Sequence, residues 1–131
     1  MELTMAEEGG IRFVEGPPGR PLMRCAGDAD LVVEACFTGG ADSALLYAQN
    51  LTEGFFDLSS GEAGVILQKL RNYGIRLAVV CAPDSVRFSS RFREMVAEES
   101  DQDQFRLFDS RQAARDWLSR RLAGGKPSPG Y

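Results

Sequence analysis

The sequence predicts an α/β fold around a mostly parallel sheet, and three observations carry that reading. Apolar strand-like segments alternate with amphipathic helical ones, the pattern of parallel strands joined by helical crossovers. Glycine and proline mark the joints, at Gly16-Pro17-Pro18-Gly19, Gly39-Gly40 and Gly74. The segment from Ile75 to Cys81 is apolar almost without a break, as in a strand covered on both faces.

Taken in order, Ile11 to Glu15 alternates as a short strand, and the Gly-Pro-Pro-Gly turn leads to a second strand over Pro21 to Cys25. Those two are expected to pair as an N-terminal β-hairpin. Asp28 is placed to cap a helix running to about Phe37, with Leu31, Val32, Ala35 and Cys36 as its apolar stripe. Ser43 to Ala48 follows as an apolar strand. Ser59-Ser60-Gly61-Glu62 has capping-box spacing. The helix after it carries Ala63, Ile66, Leu67, Leu70 and Tyr73 on one face. Beyond the Ile75–Cys81 strand, Ser89 or Ser90 caps a third helix bearing Phe92, Met95 and Val96. Phe105 to Phe108 is the last strand. Asp109 or Ser110 caps a last helix with Ala114, Trp117, Leu118 and Leu122 inward. The predicted order is β-β-α-β-α-β-α-β-α, with a four- to five-stranded sheet and four helices. Residues 1–123 form one domain and 124–131 a flexible tail.

Composition narrows the chemistry. The 131 residues carry a net charge of −4, which disfavours nucleic acid because phosphate binding needs a basic face. No apolar run reaches the roughly 20 residues of a membrane span, and the acidic N-terminus is unlike a signal peptide, so a cytoplasmic protein is expected. Cys25, Cys36 and Cys81 sit in apolar segments without metal-site spacing and read as core residues of a reducing compartment. Histidine is absent. That removes histidine-based triads and the imidazole ligands of common zinc and iron sites. No catalytic set, metal site or cofactor is expected.

Ala44-Leu45-Leu46-Tyr47, Asp57-Leu58-Ser59-Ser60-Gly61 and Val65-Ile66-Leu67-Gln68-Lys69-Leu70, closed by Asn72-Tyr73-Gly74 and an apolar strand, resemble the STAS domain of bacterial anti-sigma-factor antagonists. The stretch FFDLSSGEAGVILQKLRNYGIRLAVV is also similar to a family of small bacterial proteins catalogued as a domain of unknown function, DUF4180. The first resemblance implies a single STAS-like domain and a regulatory role. It also implies a serine phosphorylated at the start of the second helix by a kinase that is itself the partner. Ser59 or Ser60 occupies that place.

The residues read by themselves leave alternatives open. Asp57 to Gly61 is either an anion or phosphoacceptor site or a plain helix cap. Arg87, Arg91 and Arg93 after the strongest strand suit phosphate or carboxylate recognition, or form a solvated basic face. Arg91 and Arg93 point about 160° apart on a helix, so one of them at most faces a site. Phe55 and Phe56 contact a partner or fill the core beneath their loop. The expected function is a non-catalytic protein-binding module whose face comprises Phe55, Phe56, Asp57, Gly61, Arg87 and Arg91. The first alternative is a small anionic ligand, or a histidine-free enzyme using Asp57, Tyr47, Ser60 and Arg87 at the strand carboxyl ends. The second is a homo-oligomeric scaffold paired through the hairpin edge or the apolar loop.

Overall fold

Five strands pair in chain order into one sheet: β1 (Thr4–Glu8), β2 (Ile11–Glu15), β3 (Ser43–Tyr47), β4 (Arg76–Val80) and β5 (Phe105–Phe108). β1 and β2 are antiparallel, and β2 to β5 are parallel. The helices are α1 (Ala29–Gly39), α2 (Glu62–Asn72), α3 (described over 93–97) and α4 (Arg111–Gly124). The computed structural model describes residues 3–8, 10–56, 61–81, 93–97 and 104–124. The fold is thus α/β with a mostly parallel five-stranded sheet, as the alternation of segments predicts.

Alternation along the strands sorts the core into two layers. Phe13 and Val14 are both fully buried but on opposite faces. Val14, Ala44, Leu46, Leu77, Val79 and Phe105 face α1 and α2, with Met95 and Val96 packed against the same layer. Ile11, Phe13, Leu45 and Ala78 face α4 through Ala114, Trp117 and Leu118. Crossovers between neighbouring parallel strands share one hand and so stack their helices on one side. Among the described helices, α4, which follows the last strand, is the one that returns across the other face. The second layer closes where the Arg76 guanidinium sits 3.9 Å above the Trp117 ring and its Nη1 donates to the Leu118 carbonyl at 3.3 Å.

The hairpin is built from different strands than expected. β1 is Thr4–Glu8, paired Glu8↔Ile11 across a turn containing Gly10 at φ 83°. The pairing of Glu8 with Ile11 leaves a two-residue connection, and Gly10 supplies a positive φ that glycine adopts without a Cβ penalty. Pro21 to Cys25 is not a strand. Met23 N–H donates to the Asn50 carbonyl at 2.8 Å, so this segment packs on the loop after β3 rather than on β2. Cys25 is consequently exposed, whereas Cys36 and Cys81 are buried as expected.

Smaller departures lie at helix ends. α2 starts at Glu62 behind Gly61, whose φ of 80° is left-handed, so Glu62 is the first helical residue and not the third position of a capping box. Tyr73 lies beyond the last helical residue and leaves the apolar stripe, ending 64% exposed. Asp28 precedes α1 but caps through no side-chain bond to it. Its carboxylate accepts from the Arg24 N–H at 2.8 Å. The Ser110 hydroxyl does cap α4, accepting from the Ala113 N–H at 3.2 Å. The expected tail beyond Gly124 lies outside the described residues.

Candidate functional site

Two arrangements form at the carboxyl ends of the parallel strands, one on each face of the sheet. On the α4 face, Glu15 ends β2, Tyr47 ends β3, and Arg111 opens α4. Arg111 donates from Nε to Glu15 Oε2 at 2.8 Å and from Nη2 to Oε1 at 3.0 Å, a bidentate fork. The same guanidinium reaches Glu8 on β1, from Nη2 at 2.7 Å and Nη1 at 3.3 Å. The Tyr47 hydroxyl donates to Glu15 Oε2 at 2.6 Å. Arg115, one helical turn on, lies 3.6 Å from Glu8 and pairs with Asp116 at 2.8 Å.

The charges of this cluster are held fixed by each other. Hydrogen bonds from Arg111 hold both the Glu15 and Glu8 carboxyls below the ordinary glutamate range. Burial, then the Glu15 carboxylate, pushes the Tyr47 phenol up to about 12. At neutral pH the carboxylates are therefore ionised and the phenol keeps its proton. The arrangement suits a clamp between the hairpin and α4 better than an acid–base pair.

This clamp makes stability depend on pH. Carboxyls depressed in the fold contribute fully above the unfolded value near 4.5, and the contribution fades as pH falls through the folded value. Tyr47 acts oppositely: its contribution is complete below pH 10 and is lost as pH rises through about 12. Cys36, raised to about 12 by burial, adds a second alkaline loss. Arg111→Met is expected to cost about 1 kcal/mol at pH 7 after allowance for solvent screening. The gap to the native chain should close towards pH 3 in urea titrations at fixed pH. A gap unchanged at pH 3 would contradict the clamp.

On the opposite face, the loop after β3 turns away from the sheet and opens a cleft of 780 Å³. Asn50 builds this corner. Its Oδ1 accepts from the Tyr47 N–H at 2.7 Å, and its Nδ2 donates to the carbonyls of Pro17 and Arg20 at 2.7 and 2.8 Å. Gly16 passes so close that any Cβ would overlap the Asn50 side-chain oxygen. The segment 16–24 is thereby fastened across the end of β3, where Pro21, Met23 and Arg24 form one wall of the cleft. Leu51, Thr52, Gly54 and Phe56 form the floor, and Glu62 at the start of α2 closes the far side. The Thr52 hydroxyl is buried and has no hydrogen-bond partner among the described residues.

The residues singled out from the sequence fall unevenly on this geometry. Phe55 is fully buried, its ring 5.9 Å from that of Phe105, so it is core and offers no surface to a partner. Phe56 is 7% exposed and lines the cleft, and Gly61 stands one residue before Glu62 on its rim. Tyr47 is committed to the clamp. Asp57, Ser59, Ser60, Arg87 and Arg91 lie outside the described residues. Glu8, Glu15, Asn50 and Arg111 were not singled out, because each stands alone in sequence and gains its partners only when distant elements meet.

Comparison with known proteins places the chain once this geometry is known. The model of a family described as Domain of unknown function (DUF4180) matches residues 9–118. That span runs from the hairpin turn into α4 and includes the cleft and, of the opposite cluster, Glu15, Tyr47, Arg111 and Arg115 but not Glu8. The chain belongs to this family. No curated protein and no solved structure matches it.

Proposed function

We propose that this domain is a regulatory, non-catalytic module that binds a protein partner through the cleft between the 21–24 segment, the loop after β3 and the start of α2. The observation that carries the reading is the cleft itself. It joins an apolar lining of Met23, Leu51 and Phe56 to the polar groups of Arg24, Gln49 and Glu62 at the carboxyl end of a parallel strand. The likeness to STAS antagonists supports the same face, since their control point is the start of the helix that here begins at Glu62. Ser59 and Ser60 directly precede Gly61 in sequence. A phosphate on either would add about two negative charges two or three residues before Glu62 in sequence and repel a partner that tolerates the unmodified chain.

A small ligand is the second reading. The cleft volume falls in the ordinary range for ligand sites, roughly 300–1,000 Å³, and the buried Thr52 hydroxyl offers it a hydrogen bond. Catalysis by a carboxyl of raised pKa gains no support from Glu8 or Glu15, whose values are lowered.

Native and intact-mass spectrometry of protein purified gently from its own host separates the two. The partner reading expects phosphate on Ser59 or Ser60, or a protein that co-purifies in fixed ratio. A bound small molecule with unmodified serines would replace it with the second reading.

A further inference from the structure

We infer that the face formed by α1 and α2, away from the cleft, pairs with the same face of a second copy of this chain. Four large apolar side chains are exposed among the described residues, and three of them, Phe37, Val65 and Tyr73, lie on or just beyond these two helices. Phe37 is 88% exposed at the end of α1. Beside it runs a groove of 390 Å³, walled mainly by Val33, Cys36, Ala41, Tyr73 and Ile75. Ring and groove thus adjoin on one surface. A two-fold axis through such a surface lets each copy lay its Phe37 into the groove of the other, the self-complementarity that an isologous contact needs.

The charges fit the same arrangement. The charged residues of α1 are Asp30 and Glu34, both acidic. The second half of α2 carries Lys69 and Arg71. Within one chain these already attract, since Lys69 Nζ donates to Asp30 at 2.7 Å. A two-fold that sets α1 of one copy on α2 of the other repeats the pairing of opposite signs across the interface, with Glu34 at the groove edge. Each helix is about 16 Å long and about 10 Å wide, so two such faces bury on the order of 1,000 Å² in total. That is the lower end of specific interfaces and implies a reversible dimer.

Sedimentation velocity over about 5–500 μM tests the inference, a range set by the micromolar affinities of small interfaces. The native chain should shift from monomer to dimer across it. Phe37→Ser and Tyr73→Ser should stay monomeric at every concentration, with circular dichroism and melting temperature nearly unchanged because both side chains are exposed. Gln112→Ser, at an exposed position of α4 across the sheet, should still dimerise. A native chain that stays monomeric, or forms higher oligomers without a dimer, overturns the inference. So does a dimer that Phe37→Ser and Tyr73→Ser both leave intact, which would place the interface elsewhere on the chain. None of these variants touches the cleft, so partner binding there stands or falls separately.

Discussion

Asn50→Ala is expected to lower the stability of the domain by about 3 kcal/mol, or roughly 10 °C in melting temperature. Asn50 is fully buried, and its one side chain satisfies an N–H and two carbonyls from segments some thirty residues apart. Alanine leaves all three without a partner in a space that water cannot readily fill. Asn50→Asp should be worse. It keeps an acceptor for the Tyr47 N–H but turns a carboxylate against the carbonyls of Pro17 and Arg20. Gly16→Ala attacks the same joint from the other side, because its methyl displaces the Asn50 oxygen. Chemical denaturation of the three variants checks the order: aspartate least stable, with alanine at either position below the native chain. An aspartate variant as stable as the native protein would show that the 16–24 segment is held by other contacts.

The second large effect concerns the face that α4 covers. Trp117→Ala is expected to cost about 3–5 kcal/mol, the range for truncating a large buried aromatic. The ring is 5% exposed, tilts against Phe108 at 5.6 Å and forms the floor beneath Arg76. Its loss opens a cavity and removes the π face under the guanidinium of Arg76, a residue itself only 2% exposed. Trp117→Phe keeps an aromatic face and should recover more than half of the loss. Equal destabilisation by the two variants would contradict this, since neither the restored volume nor the smaller aromatic face would then support the layer.

How far these features are legible in the sequence depends on how local their causes are. The parallel strands β3, β4 and β5 and the helices α1, α2 and α4 follow from periodicity and punctuation, which act over a few residues. β1 escaped because its sequence, Thr-Met-Ala-Glu-Glu, forms a mostly exposed edge and has no apolar face to declare it. The signal that could have found it is the Gly9-Gly10 pair immediately before β2. Pro21 to Cys25 misled because its apolar residues serve the corner at Asn50 and not a ladder. The same division holds at the site. Phe56 sits at the cleft by virtue of the short-range order of the loop after β3, while Gly61 lies just outside its lining, one residue before Glu62. The Glu8–Arg111–Glu15–Tyr47 cluster joins residues up to 103 positions apart and has no sequence motif.

The functional reading depends on the cleft being the surface that meets the partner. A photo-crosslinking amino acid at Gln49, an exposed position on its rim, tests this directly in the native host. The same group at Gln112, exposed on α4 across the sheet, serves as control. The account predicts one discrete protein adduct from position 49, none from 112, and loss of the adduct when Ser60→Asp is added. Equal adducts from both positions, or an adduct at 49 unaffected by aspartate at both 59 and 60, would contradict it.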